Sequence, residues 1–229
     1  QKLAMQLDKT PNDNIFPSYG SIISYRLHEG EKVPSLILIT PKAHGDAKNT
    51  LGPELRKDPD SMNDKFIEFA SAAADAVRYC HANGLVHRDI KPDNFFMHEG
   101  KPKLADFGTA STVDNELFKG TGTIGYQAPE IINYSQDINE KVDIYALGAT
   151  FYQVLTGSEP RDGIDLNKIK DTKIRELIAS CIDNDPISRP SAESLLEMID
   201  GVRDSHQNES FETLTGIADT NDLRQAFEF

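Results

Sequence analysis

No stretch of this 229-residue chain stays apolar over the about 20 residues that a bilayer span requires, so no membrane-spanning helix is expected. Nor does its start carry the basic, apolar and small-residue succession of a secretory leader. Cysteine is scarce: Cys80 and Cys181 are the whole supply, and both fall on apolar helical faces. Two such thiols read as buried and reduced rather than bridged, which points to a cytoplasmic setting. Positive charge is also short, with 24 Lys and Arg against 37 Asp and Glu. The net charge of −13 disfavours nucleic acid and anionic membrane as partners. What remains is ordinary for a globular protein with a sizeable core, at 38% hydrophobic and 27% charged residues.

The pattern of apolar residues outlines the elements. Ser35-Leu36-Ile37-Leu38-Ile39-Thr40 is a β-branched run between Pro34 and Pro41 and reads as a buried strand. Ile22-Ile23-Ser24-Tyr25, followed by the turn-like His28-Glu29-Gly30-Glu31, supplies a hairpin partner. Phe66, Phe69, Ala70, Ala73, Val77 and Cys80 recur at helical spacing, with Asn83-Gly84 as a stop. Phe95-Phe96-Met97, a turn at Glu99-Gly100 and Lys103-Leu104-Ala105 form a second hairpin. From Val142 to Leu155 the chain is apolar on nearly every side, which places a helix in the middle of the fold. Ile174, Leu177, Ile178, Cys181 and Ile182 make an amphipathic stripe. Ser191 is an N-cap, with Glu193 favourable in the first turn, for a last helix carrying Leu195, Leu196 and Ile199 and stopped by Gly201.

Three short runs concentrate acids and amides: His87-Arg88-Asp89-Ile90-Lys91-Pro92-Asp93-Asn94, then Asp106-Phe107-Gly108, then Ala128-Pro129-Glu130. Any one alone reads as a polar loop, because Asp, Gly and Pro favour turns without chemistry. In series, they resemble the catalytic lobe of a eukaryotic-type protein kinase. The resemblance implies an α+β, protein-kinase-like fold, with a mostly helical large lobe and the remnant of a small β lobe. Residues 1–42 would be the partial small lobe, 43–202 the large catalytic lobe and 203–229 an acidic tail or linker.

It also implies ATP- and magnesium-dependent transfer of a γ-phosphoryl group to Ser or Thr hydroxyls of protein substrates. That reaction asks for aligned reactants and neutralised oxygen charge. Magnesium, a hard cation, takes one or two carboxylate or amide oxygens plus phosphates. By resemblance, Asp106 and Asn94 hold the metal, and Asp89 accepts or orients the proton of the attacking hydroxyl. Lys91 lies beside the γ-phosphate, and Thr123 braces Asp89 and Lys91; this pair favours Ser/Thr over Tyr acceptors. Thr40 lies at the back of the adenine pocket, Pro41 to Ala43 form a hinge, and Phe96 floors the adenine. Ala105 joins these cofactor-binding residues beside Asp106. Asp143 anchors the backbone of the His-Arg-Asp loop, and Glu130 pairs with Arg189 as a structural tie. Arg88 would grip an activating phosphate, expected on Thr121 or Thr112.

The family's glycine-rich loop, strand lysine and helix glutamate do not stand upstream of Ile22, so the resemblance covers roughly residues 14 to 202. Gln1 to Met5 read as the tail of the helix that carries that glutamate. The stretch from Gly157 to Lys170 is short and rich in Asp, Gly and Pro, so the helix that often docks substrates there is expected to be reduced. Two other readings keep the lobe: a scaffold or pseudokinase without turnover, and an enzyme acting on small-molecule hydroxyls. Retention of Asp89, Asn94 and Asp106 favours chemistry, and the segment from Gly122 to Glu130 favours a protein acceptor.

Overall fold

The computed structural model describes residues 12–28, 31–57, 62–112, 122–133 and 138–217. Gln1 to Met5, Thr121 and residues 218–229 lie outside them. The architecture is α+β: among the described residues, helices gather around one core beside three separate two-stranded ribbons. Among the described residues no helix is long and apolar enough to cross a membrane.

Strand β1 (Gly20–His28) pairs antiparallel with β2 (Glu31–Ile39), with Ile22 opposite Ile37 and Ser24 opposite Ser35. The hairpin is where the sequence puts it, but its apolar run is not buried: Ile37, Leu38 and Ile39 are 49%, 53% and 44% exposed. Both strands of a two-stranded ribbon are edges, and apolar side chains alternate onto both of its faces, so the other strand alone does not cover them. Pro34 lies inside β2, opposite Tyr25, rather than bounding the strand; an edge strand tolerates the missing N–H.

After β2 the chain is clipped to the second hairpin. The His44 N–H donates to the Met97 carbonyl at 2.8 Å, and the Met97 N–H to the Gly45 carbonyl at 2.9 Å. A wide helical turn (Ala47–Leu51) follows, capped by Asp46, whose carboxylate accepts from the Asn49 N–H at 2.9 Å. It runs into α1 (Gly52–Lys57). Helix α2 (Met62–Ala82) buries Phe66, Phe69, Ala70, Ala73, Val77 and Cys80, the stripe legible in the sequence. It ends where Gly84 turns with φ +71°, a conformation that favours glycine. The short β3 (Leu85–Val86) pairs with β6 (Ser111–Thr112), and β4 (Phe95–His98) with β5 (Lys101–Leu104).

Helix α3 is one turn (Pro129–Ile132), α4 spans Lys141–Thr156, α5 spans Thr172–Cys181 and α6 spans Ala192–Ile217. Ile144, Leu147, Phe151 and Tyr152 of α4 are fully buried. Phe151 meets Phe66 and Phe69 of α2 edge to face, at 5.5 and 6.0 Å between ring centroids. Phe69 also meets Phe95 at 5.3 Å, which joins the helical core to the β4–β5 hairpin. Both cysteines are buried and free. Between Gly157 and Lys170 only two single turns form, at Pro160–Asp162 and Leu166–Lys168, in keeping with a reduced helix there.

The end of the last helix departs from expectation. Ser191 caps α6 as predicted, its hydroxyl accepting from the Ser194 N–H at 3.0 Å. The helix then passes through Gly201 and continues to Ile217. A glycine inside a helix costs only about 1 kcal/mol. Buried Val202 and the 2.8 Å contact between His206 and Asp171 hold the next turns against the core. The part of the expected tail up to residue 217 is therefore helical.

Candidate active site

The loop after β3 is set by one buried acid. Asp143, in the first turn of α4 and fully buried, accepts from the His87 N–H through Oδ2 and from the Arg88 N–H through Oδ1, both at 2.8 Å. His81 Nε2 lies 3.0 Å from the same Oδ2. Burial works against the ionised form, but the hydrogen bond and charge of His81, with the donors of His87, outweigh it and hold the carboxyl below its ordinary range. The anchorage expected of Asp143 is present. It supports an unfavourable backbone, since Arg88 has φ +68° without being glycine.

His87 points inward rather than toward solvent. Its Nε2–H donates to the Ala105 carbonyl at 3.0 Å, and its ring stands against Phe107 at 4.9 Å. Burial pushes its pKa down, so the ring is a neutral structural link. Through it the loop carrying Asp89 is tied to the strand exit carrying Asp106. The Ala105 N–H closes the link from the other side by donating to the Asn94 carbonyl at 2.8 Å.

Asp89 is the best-held side chain of the group. Lys91 Nζ lies 2.8 Å from Oδ2, Thr123 Oγ1 donates to Oδ1 at 2.6 Å, and Asn94 Nδ2 lies 3.1 Å from Oδ2. Lys91 Nζ also donates to Thr123 Oγ1 at 2.8 Å, closing a triangle. Partial burial favours the neutral acid. The bonds from Lys91, Thr123 and Asn94 and the lysine charge outweigh it, and Asp89 stays ionised below the usual carboxylate range. Asp106 is exposed, in a left-handed conformation with φ +58°, its Oδ1 accepting from the Gly108 N–H at 3.2 Å.

The structure thus brings Asp89, Lys91, Asn94 and Thr123 into direct contact, and binds the Ala105–Asp106 corner to them through main-chain bonds. Phe96 is half-buried on β4, edge-on to Phe16 at 5.1 Å, and bridges to Asp46 through the backbone. Thr40, Pro41 and Ala43 lie on the crossing between β2 and the clip at His44, which bonds to Met97, the neighbour of Phe96 in β4. Thr112 is exposed at the end of β6, and Arg88 Nε donates to the Thr109 carbonyl. The tie of Glu130 to Arg189 is present and buried.

Some contributors carried no signal in the sequence. Lys48 spans from Glu159 at 3.3 Å to Asp93 at 3.7 Å, beside Asn94. The Tyr126 hydroxyl donates to Gln153 of α4, fixing the segment that carries Thr123. His81 touches Asp143 from a helix whose sequence marks only a core stripe. No spacing rule points to them, because each acts across a contact between distant elements.

A family model described as protein kinase domain matches residues 31–199. The chain is similar to a Wee1-like protein kinase of Oryza sativa subsp. japonica, at 36% identity over 141 residues, covering 57% of this chain and 27% of that protein. It is similar to an interferon-induced, double-stranded RNA-activated protein kinase of Rattus norvegicus, at 33% identity over 169 residues, 66% of this chain and 33% of the relative. It is also similar to serine/threonine-protein kinase AfsK of Streptomyces griseus, at 36% identity over 142 residues, 54% and 17% of the two chains. The chain spans a third or less of each of these relatives. With the matched model covering well over half of its length, the chain belongs to the protein kinase domain family.

Proposed function

We propose that this chain transfers the γ-phosphoryl group of ATP, with magnesium, to serine or threonine hydroxyls of protein substrates. The observation that carries the reading is the grip on Asp89. One carboxylate is held ionised by Lys91, Thr123 and Asn94 together, at 2.8, 2.6 and 3.1 Å. An acid of that kind, preorganised and charged, suits a hydrogen-bond acceptor that orients an incoming hydroxyl.

The residues present fit magnesium. Among the described residues no cluster of three or more His, Cys, Asp or Glu is placed to hold a metal. Magnesium asks the protein for only one or two carboxylate or amide oxygens and takes its other ligands from water and phosphate. Asp106 offers an exposed carboxylate, and the Asn94 amide directs its nitrogen at Asp89, which turns its oxygen another way. These two would hold the metal. When bound, magnesium–ATP supplies the electrophilic phosphorus and neutralises charge on its oxygens.

The chain's own groups do the rest. Asp89 orients the acceptor hydroxyl and takes its proton at the carboxylate. Lys91, anchored to both Asp89 and Thr123, places a positive charge beside the transferring group. Phe96 and the crossing at Thr40, Pro41 and Ala43 would flank the base, with Ala105 beneath the phosphate end. The link between Lys91 and Thr123 supports a Ser/Thr acceptor, as do the serine/threonine-protein kinases among the relatives.

Calorimetric titration of ATP into the full chain tests the nucleotide half of this reading. Binding that requires magnesium and is lost in Asp106→Ala is expected. Equal binding with and without metal, or by both proteins, would remove it.

A further inference from the structure

Lys48 stands in the wide turn Ala47–Leu51, just past the clip that joins the chain to β4. Its ammonium lies 3.3 Å from Glu159 and 3.7 Å from Asp93. Those two acids belong to separate parts of the site. Asp93 is in the middle of the single turn Pro92–Asn94, which presents Asn94. Glu159 precedes the turn Pro160–Asp162 that follows α4. Gly125, two residues beyond Thr123, packs closely on that turn: a Cβ there would stand 2.6 Å from the Arg161 nitrogen. One cation thus joins the crossing after β2, the loop of Asp89 and the support of the Thr123 segment.

The turn Pro92–Asn94 depends on such outside support. No side chain caps its start at Lys91. The Asn94 N–H donates to the Lys91 carbonyl at 3.0 Å, and Asn94 Nδ2 donates to the Asp89 carbonyl at 2.7 Å, so both bonds stay within the loop itself. From beyond the loop, the Ala105 N–H reaches the Asn94 carbonyl on one side, and Lys48 reaches the Asp93 carboxylate on the other. The acids also face the active site. Burial pushes the Tyr126 hydroxyl's pKa up, and the charges of Glu159 and Asp93 push it further. Against its own partial burial, the bond to Glu159 and the charges of both acids raise the pKa of Lys48, so it stays protonated between them.

We propose that Lys48 is a positioning residue: by bridging Asp93 to Glu159 it holds the turn Pro92–Asn94 in place and so sets where the Asn94 amide stands. Asp93 and Asn94 are consecutive in one tight turn, so fixing the first fixes the backbone that aims the second. The Lys48, Asp93 and Glu159 side chains are 37%, 40% and 34% exposed. Water screens charges placed this way, which makes the tie a modest one that tunes the turn rather than builds it. The further step, from Asn94 to magnesium–ATP, rests on the proposed function; the tie to the turn does not.

Amide hydrogen exchange and magnesium–ATP affinity, both measured on the full chain, provide the test. Lys48→Gln should speed exchange at the Asn94 amide about two- to fivefold, the range of a partly exposed ion pair. The amide of Ser188, in a remote turn closed onto the Asp185 carbonyl, should not change. Magnesium–ATP should bind about two- to fivefold more weakly, and Lys48→Arg, which keeps the charge, should restore both readouts. In an Asp93→Asn background, Lys48→Gln should add nothing further. Unchanged exchange at Asn94, equal acceleration at Ser188, or a full additional loss in the Asp93→Asn background overturns the tie. Failure of the unsubstituted chain to bind magnesium–ATP removes the phosphotransfer reading instead, and exchange at Asn94 still decides the role of Lys48.

Discussion

Arg189 and Glu130, fifty-nine residues apart, meet as a bidentate pair, Nη1 to Oε1 at 2.7 Å and Nη2 to Oε2 at 2.8 Å. The arginine side chain is fully buried and lies over the Tyr145 ring at 5.0 Å. Its Nε donates to the Asp183 carbonyl at 2.7 Å, so one residue fastens the helix after Ala128 to the turn before α6. Arg189→Ala strands a buried carboxylate and should destabilise the fold by about 3–5 kcal/mol. Denaturant titration reads this directly, and a loss below about 1 kcal/mol would mean that the pair is dispensable.

Asp143 carries a second prediction. Asparagine in its place offers one acceptor where the loop and His81 use two, and its amide nitrogen meets another donor. Asp143→Asn should cost about 1–3 kcal/mol, the penalty of an unsatisfied buried N–H. It should also lower phosphoryl transfer more than nucleotide binding, because the loop at Asp89 moves and Asp106 does not. Activity equal to that of the unsubstituted chain would count against the anchoring role.

Acid should weaken the fold in two stages, from opposite kinds of group. His87 is buried neutral with its pKa pushed down by burial, so the unfolded chain takes up that proton first. Stability should begin to fall below about pH 6.5 on this account. Asp75, Asp89 and Asp143 have folded values below the ordinary range. Their contribution is complete above about pH 3.9 and is lost as pH falls through the folded values. Denaturant titrations across this range check both limbs, and Asp143→Asn should flatten the lower one. Stability that rises on acidification from neutrality would contradict the assignment.

Two glycines separate close packing from conformational cost. A Cβ on Gly148 would stand 2.7 Å from both Cys181 Cβ and Ile182 Cγ2, so Gly148→Ala should destabilise by about 1–3 kcal/mol through overpacking of α4 against α5. A Cβ on Gly201 would meet nothing within 4 Å, and Gly201→Ala should stabilise α6 by about 0.5–1 kcal/mol. A destabilising Gly201→Ala would mean that the helix does stop there, as its sequence suggests.

What could be read from the sequence divides along physical lines. The motif runs that carry Asp89, Lys91, Asn94 and Asp106 were legible because they stand in series, and the structure brings Asp89, Lys91, Asn94 and Thr123 into contact; the roles of these residues were expected from the family resemblance alone. Helix α4 was legible because thirteen of its residues, Asp143 among them, are buried, which leaves an apolar pattern on every side. The exposure of Ile37 to Ile39 was not legible, since an apolar strand reads alike whether or not another layer covers it. Gly201 misled because local propensity is weaker than packing on α2. Lys48 and His81 stayed hidden because their partners, Glu159 and Asp143, are distant in the chain and close only once folded.

Under the proposed function, the triangle of Lys91, Thr123 and Asp89 serves the transfer step. Thr123→Ala removes a donor to Asp89 and an acceptor for Lys91. It should lower kcat for a serine peptide with little change in the affinity for ATP. Loss of ATP affinity with unchanged kcat would place Thr123 in nucleotide binding instead.

The central claim is that Asp89 serves the transfer of phosphate to a hydroxyl. The most direct measurement follows labelled γ-phosphate from magnesium–ATP into serine-bearing protein substrate, comparing the full chain with Asp89→Asn. The account predicts phosphoserine formation that falls by about 10²–10⁴-fold in the variant, the usual contribution of a positioned acid or base. Equal incorporation by the two proteins would contradict it.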